Sequence, residues 1–75
     1  MAKSYEEQVA ELVDEIDRFL DLTESAAGGA RNSLAKGRAG DASIKVSEAV
    51  EFSAKAGKAM KKLWDLVRRT REHGT

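Results

Sequence analysis

The chain has few side chains that could carry out chemistry. It contains one histidine, His73, and no cysteine. A histidine in the last three positions is expected to be solvent-exposed, and without a second histidine or a cysteine no Cys/His zinc site or Glu-x-x-His metal pair can form within the chain. Serines are plentiful, but none lies in a nucleophile motif with a histidine as its base. We therefore expect no enzymatic activity, no catalytic residue and no cofactor.

Neither the acidic residues nor the glycines predict an ion or phosphate site. Asp14, Asp17 and Asp21 could hold a hard cation weakly, but their spacing is better interpreted as the solvated face of a helix. The glycines at 28, 29, 37 and 40 match neither the P-loop nor the dinucleotide-binding spacing. No metal or phosphate ligand is predicted.

Basic side chains are concentrated near the end of the chain. Residues 55–71 carry seven basic side chains and one acid, whereas residues 1–24 carry eight acids and two bases. The totals of 13 acidic and 13 basic residues cancel, which argues against a purely electrostatic nucleic-acid binder. A helical row of cations can still reach several phosphates of one backbone. Nucleic-acid binding is thus one alternative function, with contacts from Lys58, Lys61, Lys62, Arg68, Arg69 and Arg71.

Small residues cluster in the middle of both halves of the chain, at Ser25–Ala30 and Ser53–Ala59. Short side chains on a bundle axis could leave a small polar-lined cavity for a ligand. They could equally allow close helix approach and make room for Phe19 and Phe52, which is the interpretation we favour. A small-molecule site is therefore a second alternative, and its residues would be Ala26, Gly29, Ala30, Ser53 and Gly57.

Two long helices must position all these residues. Ser4 to Glu7 fits a capping box and predicts where the first helix begins. A 3.5-residue repeat, typical of a left-handed supercoiled seam, follows at Tyr5, Val9, Leu12, Ile16, Phe19, Thr23, Ala26 and Ala30. A second apolar stripe runs beside it at Val13, Leu20, Ala27 and Leu34.

The glycines decide where the first helix ends. Adjacent glycines at 28 and 29 cost about 2 kcal/mol relative to alanines in a helix interior. Because the seam keeps its register past them, we expect a continuous or gently bent helix over about 4–36. Gly37 or Gly40 is expected to take the left-handed cap in a turn over 37–41, and Asp41 to cap the second helix.

The second helix is predicted over about 42–72, so that residues 1–75 form one helical-hairpin domain. A short turn makes the hairpin antiparallel and sets facing residues symmetrically about position 39. Phe52 is then expected near 26–29, and Phe19 near 56–59. The expected inward stripe is Val46, Val50, Ser53, Gly57, Met60, Trp64 and Val67, with Ala49, Ala56 and Leu63 on one flank and Phe52, Ala59 and Leu66 on the other.

Self-association is predicted because the apolar faces are broader than one partner helix covers. A chain of 75 residues buries only about 60% of its extended surface, and it has no disulfide or zinc to compensate. We expect an all-α hairpin that pairs into a homodimeric four-helix bundle, with a trimeric six-helix bundle as the next arrangement. The predicted core and oligomer interface comprises Val9, Leu12, Ile16, Phe19, Leu20, Val50, Phe52, Met60, Leu63, Trp64 and Val67.

The leading functional interpretation is a non-enzymatic structural or protein–protein interaction module whose partner is a second copy of itself. No uncharged apolar run approaches the ~20 residues of a membrane span, and no signal-peptide core is present. We therefore expect a soluble protein with no membrane partner, and a cytoplasmic one if the chain is natural. The capping box, the regular heptads and the absence of proline and cysteine would also suit a de novo designed hairpin, although the glycine pair weakens its helix.

Overall fold

The chain forms a hairpin of two α-helices. The computed structural model describes residues 2–74, with side chains described for residues 2–71. Helix α1 spans Tyr5–Ala35 and helix α2 spans Ala39–Gly74, and the part of the chain that is described contains no strand. The predicted all-helical hairpin is confirmed. The expectation for His73 falls outside the described side chains.

The capping residue predicted from the sequence starts α1. The Ser4 hydroxyl oxygen accepts a hydrogen bond of 3.1 Å from the Glu7 amide, which satisfies one of the free donors at the helix N-terminus. The Lys3 ammonium forms an ion pair of 2.7 Å with the carboxylate of Glu11, one turn beyond Glu7. The start of the helix is thus held by both a cap and a side-chain pair.

Helix α1 runs unbroken through Gly28 and Gly29. A Cβ atom added at Gly28 would meet nothing within 4 Å, and one added at Gly29 would lie 3.4 Å from the Lys45 side chain. Neither glycine receives an aromatic ring. Ala26 and Ala30 are both buried, and their contacts stabilise the helix on either side of the two glycines.

The turn is tighter than expected and centres on Gly37. The Arg38 amide donates to the Ser33 carbonyl at 2.8 Å and the Gly37 amide to the Leu34 carbonyl at 3.0 Å, which is the Schellman pattern. Gly37 adopts φ +74° as this motif requires, whereas Gly40 lies inside α2. The expectation that Asp41 caps α2 is wrong. Asp41 lies in the first helical turn, because the Ala42 amide already donates to the Arg38 carbonyl at 3.0 Å.

The short turn changes which residues face each other. Gly29 faces Lys45, and both lie eight residues from Gly37. Phe19 faces Lys55, whose ammonium lies 5.8 Å from the ring centre. The hairpin is therefore symmetric about position 37 rather than 39. The predicted approach of Phe52 to 26–29 is shifted toward the start of α1, since Phe52 lines a depression with Leu22, Ser25 and Ala26.

Small side chains make up the seam between the helices. The described residues that are buried are all alanines: Ala26, Ala30, Ala42, Ala56 and Ala59. Larger apolar residues such as Ile16, Phe19 and Leu63 are only half-buried beside them. This arrangement lets the helix axes approach closely, but it leaves the hairpin with a thin core.

The stripe expected to point inward on α2 does not face α1 but lies on one side of the hairpin, exposed except for the half-buried Val67. Its two predicted flanks, which include Ala56 and Ala59, form the contact with α1. Val46, Val50, Met60 and Trp64 are consequently exposed. The reason is that alanines on both flanks allow α1 to settle closer to α2 than the larger residues of the stripe would permit.

The hairpin is long and thin, and it exposes much surface. It measures 56 × 20 × 16 Å, with a radius of gyration of 16.9 Å against about 11 Å for a compact domain of this length. Its accessible surface is 5822 Å², whereas a compact monomer of this mass exposes about 4,500 Å². Within the described residues, neither helix contains a stretch apolar enough to cross a membrane.

Candidate self-association surface

The two long sides of the hairpin differ in character. One side, the polar flank, carries residues that precede the seam positions by one, such as Leu22 before Thr23 and Glu48 before Ala49. Leu22 and Glu48 line the same shallow depression, which also shows that these positions of the two helices share one side. Residues that follow the seam positions by one must then lie together on the opposite side, because one residue corresponds to a rotation of about 100° around a helix.

This opposite side is the apolar flank. On α1 it carries one residue after each of four seam positions, Leu12, Phe19, Ala26 and Ser33. These residues are Val13, Leu20, Ala27 and Leu34. On α2 the apolar flank carries Val46, Val50, Ser53, Gly57, Met60, Trp64 and Val67. All of these residues are exposed except Val67, which is half-buried. The α2 residues repeat at alternating steps of four and three, so they form a complete heptad seam about a quarter-turn from the seam already used by α1.

Large side chains on the apolar flank remain open to solvent. Leu34 is 62% exposed, Val50 63% and Trp64 58%. Trp64, the only tryptophan in the chain, does not pack between the two helices, so its place in the core or oligomer interface of an assembly stays a prediction. Large exposed apolar residues that recur along the length of a hairpin are typical of a surface that another protein covers.

The polar flank shields its apolar atoms with lysine side chains. The Lys55 ammonium lies 5.8 Å from the Phe19 ring centre and 6.0 Å from that of Phe52, and the Arg18 guanidinium lies 5.4 Å from the Phe19 ring. Cations over ring faces are favourable, and their alkyl stems cover apolar surface while the charge stays in water. Lys45 covers Gly29 in the same way and lies 3.7 Å from Glu48. This flank therefore leaves fewer large apolar side chains open than the opposite one, although Leu22 and Ile44 stay exposed on it.

The residues predicted as core and oligomer interface divide between the seam and the apolar flank. Half-buried residues at or beside the seam are Val9, Leu12, Ile16, Phe19, Phe52, Leu63 and Val67. Leu20, Val50, Met60 and Trp64 are exposed on the apolar flank. The sequence analysis did not assign Val13, Ala27, Leu34 and Val46 to the interface, although their spacing of seven residues identified the stripes to which they belong.

The predicted small-residue cavity is not assembled within the hairpin. Ala26 and Ala30 are buried in the seam and Gly29 lies under Lys45, whereas Ser53 and Gly57 lie exposed on the apolar flank. The Ser53 hydroxyl donates to the Val50 carbonyl of its own helix at 2.8 Å, which occupies its proton. The depression beside Phe52, of about 250 Å³, is shallow and open.

The cations named as possible phosphate contacts are all exposed on α2. Lys58, Lys61 and Lys62 extend from the middle of the helix, and Arg68 and Arg69 follow two turns later, with the Arg69 guanidinium donating to the Asp65 carbonyl at 3.4 Å. Lys58 and Lys62 directly precede the seam residues Ala59 and Leu63 and so lie on the polar flank, whereas Lys61 lies on the outer surface of α2. Among the described residues, no group of three acidic or histidine side chains converges so as to hold a metal ion.

Comparison with family models, curated proteins and solved structures found no match for this chain. The contrast between the two flanks is therefore the feature from which a function must be inferred. It consists of an alanine seam inside the hairpin, a lysine-covered flank, and an opposite flank of uncovered leucine, valine, methionine and tryptophan.

Proposed function

We propose that this chain is a non-enzymatic self-association module, in which two hairpins pair through their apolar flanks into a four-helix bundle. The observation that carries the proposal is the heptad seam on α2, which α1 leaves exposed from Val46 to Trp64. A heptad seam is filled by the side chains of a facing helix. A second copy supplies that helix without any further partner.

The size of the flank supports pairing. A face of 56 × 20 Å offers roughly 1,100 Å² per copy, and a stable protein interface needs about 800 Å² per partner. The hairpin's accessible surface exceeds that of a compact monomer of the same mass by an area similar to that of the flank. One partner hairpin is thus enough to cover the flank, which favours a dimer over a trimer.

The proposal predicts that a charge on the apolar flank disrupts association. Val50→Glu places a carboxylate within the paired faces, where its desolvation should weaken dimerisation at least 100-fold. Ile44→Glu is the matched control, because Ile44 is 60% exposed, as Val50 is at 63%, but lies off the apolar flank. Light scattering at micromolar concentration measures both variants against the parent, whose mass should be about twice the 8.2 kDa chain.

Trp64 provides a second readout of the same event. Association should bury its indole and shift its fluorescence to shorter wavelength as the chain concentration rises. The shift should persist in Ile44→Glu and disappear in Val50→Glu. A parent chain that remains an 8.2 kDa monomer at every concentration would contradict the proposal.

The exposed cations favour a second candidate, a small nucleic-acid-binding regulator. Lys58 and Lys62 leave their charges in solvent on the polar flank, where pairing through the apolar flank would not cover them. Such a row would contact phosphates, and its binding would weaken steeply with salt. Retention of duplex DNA or RNA on a filter at low salt, lost on replacing these lysines by glutamine, would support this function, and no retention would remove it.

A further inference from the structure

We infer that the two hairpins of the bundle lie with their turns at the same end, and that Leu20 of each copy seats between Ser53 and Gly57 of the other. The inference rests on the proposed function and adds the orientation and the central contact of the interface. It follows from the side-chain sizes and charges along the apolar flank.

The register of the hairpin places Leu20 level with the smallest part of α2. Leu20 lies 17 residues before Gly37, and Ser53 and Gly57 lie 16 and 20 residues after it. Side chains on a helix tilt toward its N-terminus, which carries the Leu20 side chain toward the space between these two levels. A two-fold axis parallel to the long axis keeps every residue at its own level, so Leu20 of one copy faces Ser53 and Gly57 of the second copy.

At other levels of the flank, too, a large side chain of one copy faces a small side chain of the other. Ala27 lies ten residues before Gly37, between the levels of Val46 and Val50, so that a small residue meets two branched ones. Leu34 lies three residues before it and falls beside the small Ser43. Alternation of large and small residues across facing positions lets an interface interdigitate without voids.

Charges at the border of the flank favour the same orientation. Asp17 lies on the flank 20 residues before Gly37, and Lys61 lies on the adjoining outer surface of α2, 24 residues after Gly37; both are exposed. Because their side chains tilt toward each other along the axis, Asp17 of one copy approaches Lys61 of the second. Glu7 and Arg68 lie level in the same way, at 30 and 31 residues from the turn.

In the opposite orientation, neither the side-chain sizes nor the charges of the facing residues are complementary. A two-fold axis across the hairpin sets α1 against α1 and α2 against α2. Leu20 would then meet Leu20 near mid-length, while Ser53 and Gly57 would face their own counterparts and leave a gap. Asp17 of one copy would also approach Glu24 of the other, which places like charges together.

A pair of spin labels measures the orientation directly. The chain has no cysteine, so Arg38→Cys in the turn accepts a single nitroxide per copy. Turns at the same end place the two labels roughly 20 to 30 Å apart, about two helix diameters. Turns at opposite ends place them near the 56 Å length of the molecule. The label at Asp21→Cys, close to mid-length, is the control, because it gives a short distance in either orientation.

The outcomes separate this inference from the function on which it rests. Short distances from both labels support it. A short distance at Asp21→Cys with a long one at Arg38→Cys overturns the orientation and leaves the dimer intact. Absence of any dipolar coupling, together with a monomer mass, overturns the proposed function as well.

The seat of Leu20 is tested by a matched pair of glycine substitutions. A Cβ atom added at either Gly57 or Gly28 meets nothing within 4 Å, so Gly57→Leu and Gly28→Leu should both fold. Gly57→Leu fills the seat and should weaken dimerisation at least tenfold, whereas Gly28→Leu, away from the flank, should leave it unchanged. Equal dissociation constants for the two variants, measured by sedimentation, would overturn the inferred packing of Leu20 between Ser53 and Gly57.

Discussion

At the scale of single residues, Gly37 and Gly40 have different roles because their backbone conformations and surroundings differ. Gly37 has φ +74°, a conformation in which a side chain is strained, and its amide closes the turn by donating to the Leu34 carbonyl. Gly40 is three residues away but lies inside α2 with open space around it. The turn therefore depends on one of these two glycines.

Replacing them by alanine should change stability in opposite directions. Gly37→Ala should lower the free energy of unfolding by about 1 kcal/mol, because alanine disfavours the left-handed region. Gly40→Ala should raise it by up to about 1 kcal/mol through helix propensity. Urea unfolding followed by circular dichroism, at equal chain concentration, measures both, and a destabilised Gly40→Ala would show that Gly40 also serves the turn.

At the scale of the helix, α1 tolerates a glycine pair because its neighbours hold it. Ala26 and Ala30 on either side are buried against α2, so tertiary contacts fix the backbone where propensity is poor. A Cβ atom added at Gly28 would meet no side chain of the other helix within 4 Å. Its lack of a side chain is thus not explained by packing within the hairpin.

Gly28→Ala should accordingly stabilise α1. The expected gain is up to about 1 kcal/mol, which for a domain of this size raises the melting temperature by roughly 4 to 8 °C. Thermal unfolding at fixed chain concentration measures it, because a dimer melts higher when more concentrated. A lower melting temperature would mean that another chain packs against Gly28.

At the scale of the whole molecule, opposite charges of the two helices meet at the open end of the hairpin. The start of α1 is acidic and the end of α2 basic, and the described cations and acids there are almost all exposed. Their contribution to the hairpin alone is small and screened by salt. In a bundle with the turns at one end, each acidic helix would have a basic helix on both sides.

Charge reversal across the interface should therefore show compensation. Asp17→Lys or Lys61→Asp alone should weaken dimerisation roughly tenfold, because each breaks two symmetric pairs worth up to about 1 kcal/mol apiece. The double variant should recover most of the affinity, and the effect should shrink at 0.5 M salt. Glu51→Lys, an exposed reversal off the flank, is the control. Strictly additive losses in the double variant would rule out this pairing.

Local patterns in the sequence determined the helices and their ends. Ser4 predicted the start of α1 through its cap, and Gly37 was one of two glycines expected to end it, because both act through the backbone within a few residues. The continuity past Gly28 followed from the persistence of the apolar repeat. These features depend on neighbours along the chain, which the sequence displays directly.

Only the tertiary structure decided which stripe faces inward. Two apolar stripes on α2 fit the same heptad spacing, and periodicity cannot rank them. Close approach at Ala56 and Ala59 turned the alanine side toward α1, while the turn at Gly37 moved the register by two residues from its expected centre. The row containing Val50 and Trp64 was left outside as a result. The packing of one helix against the other thus created the candidate surface, since burial depends on which faces meet.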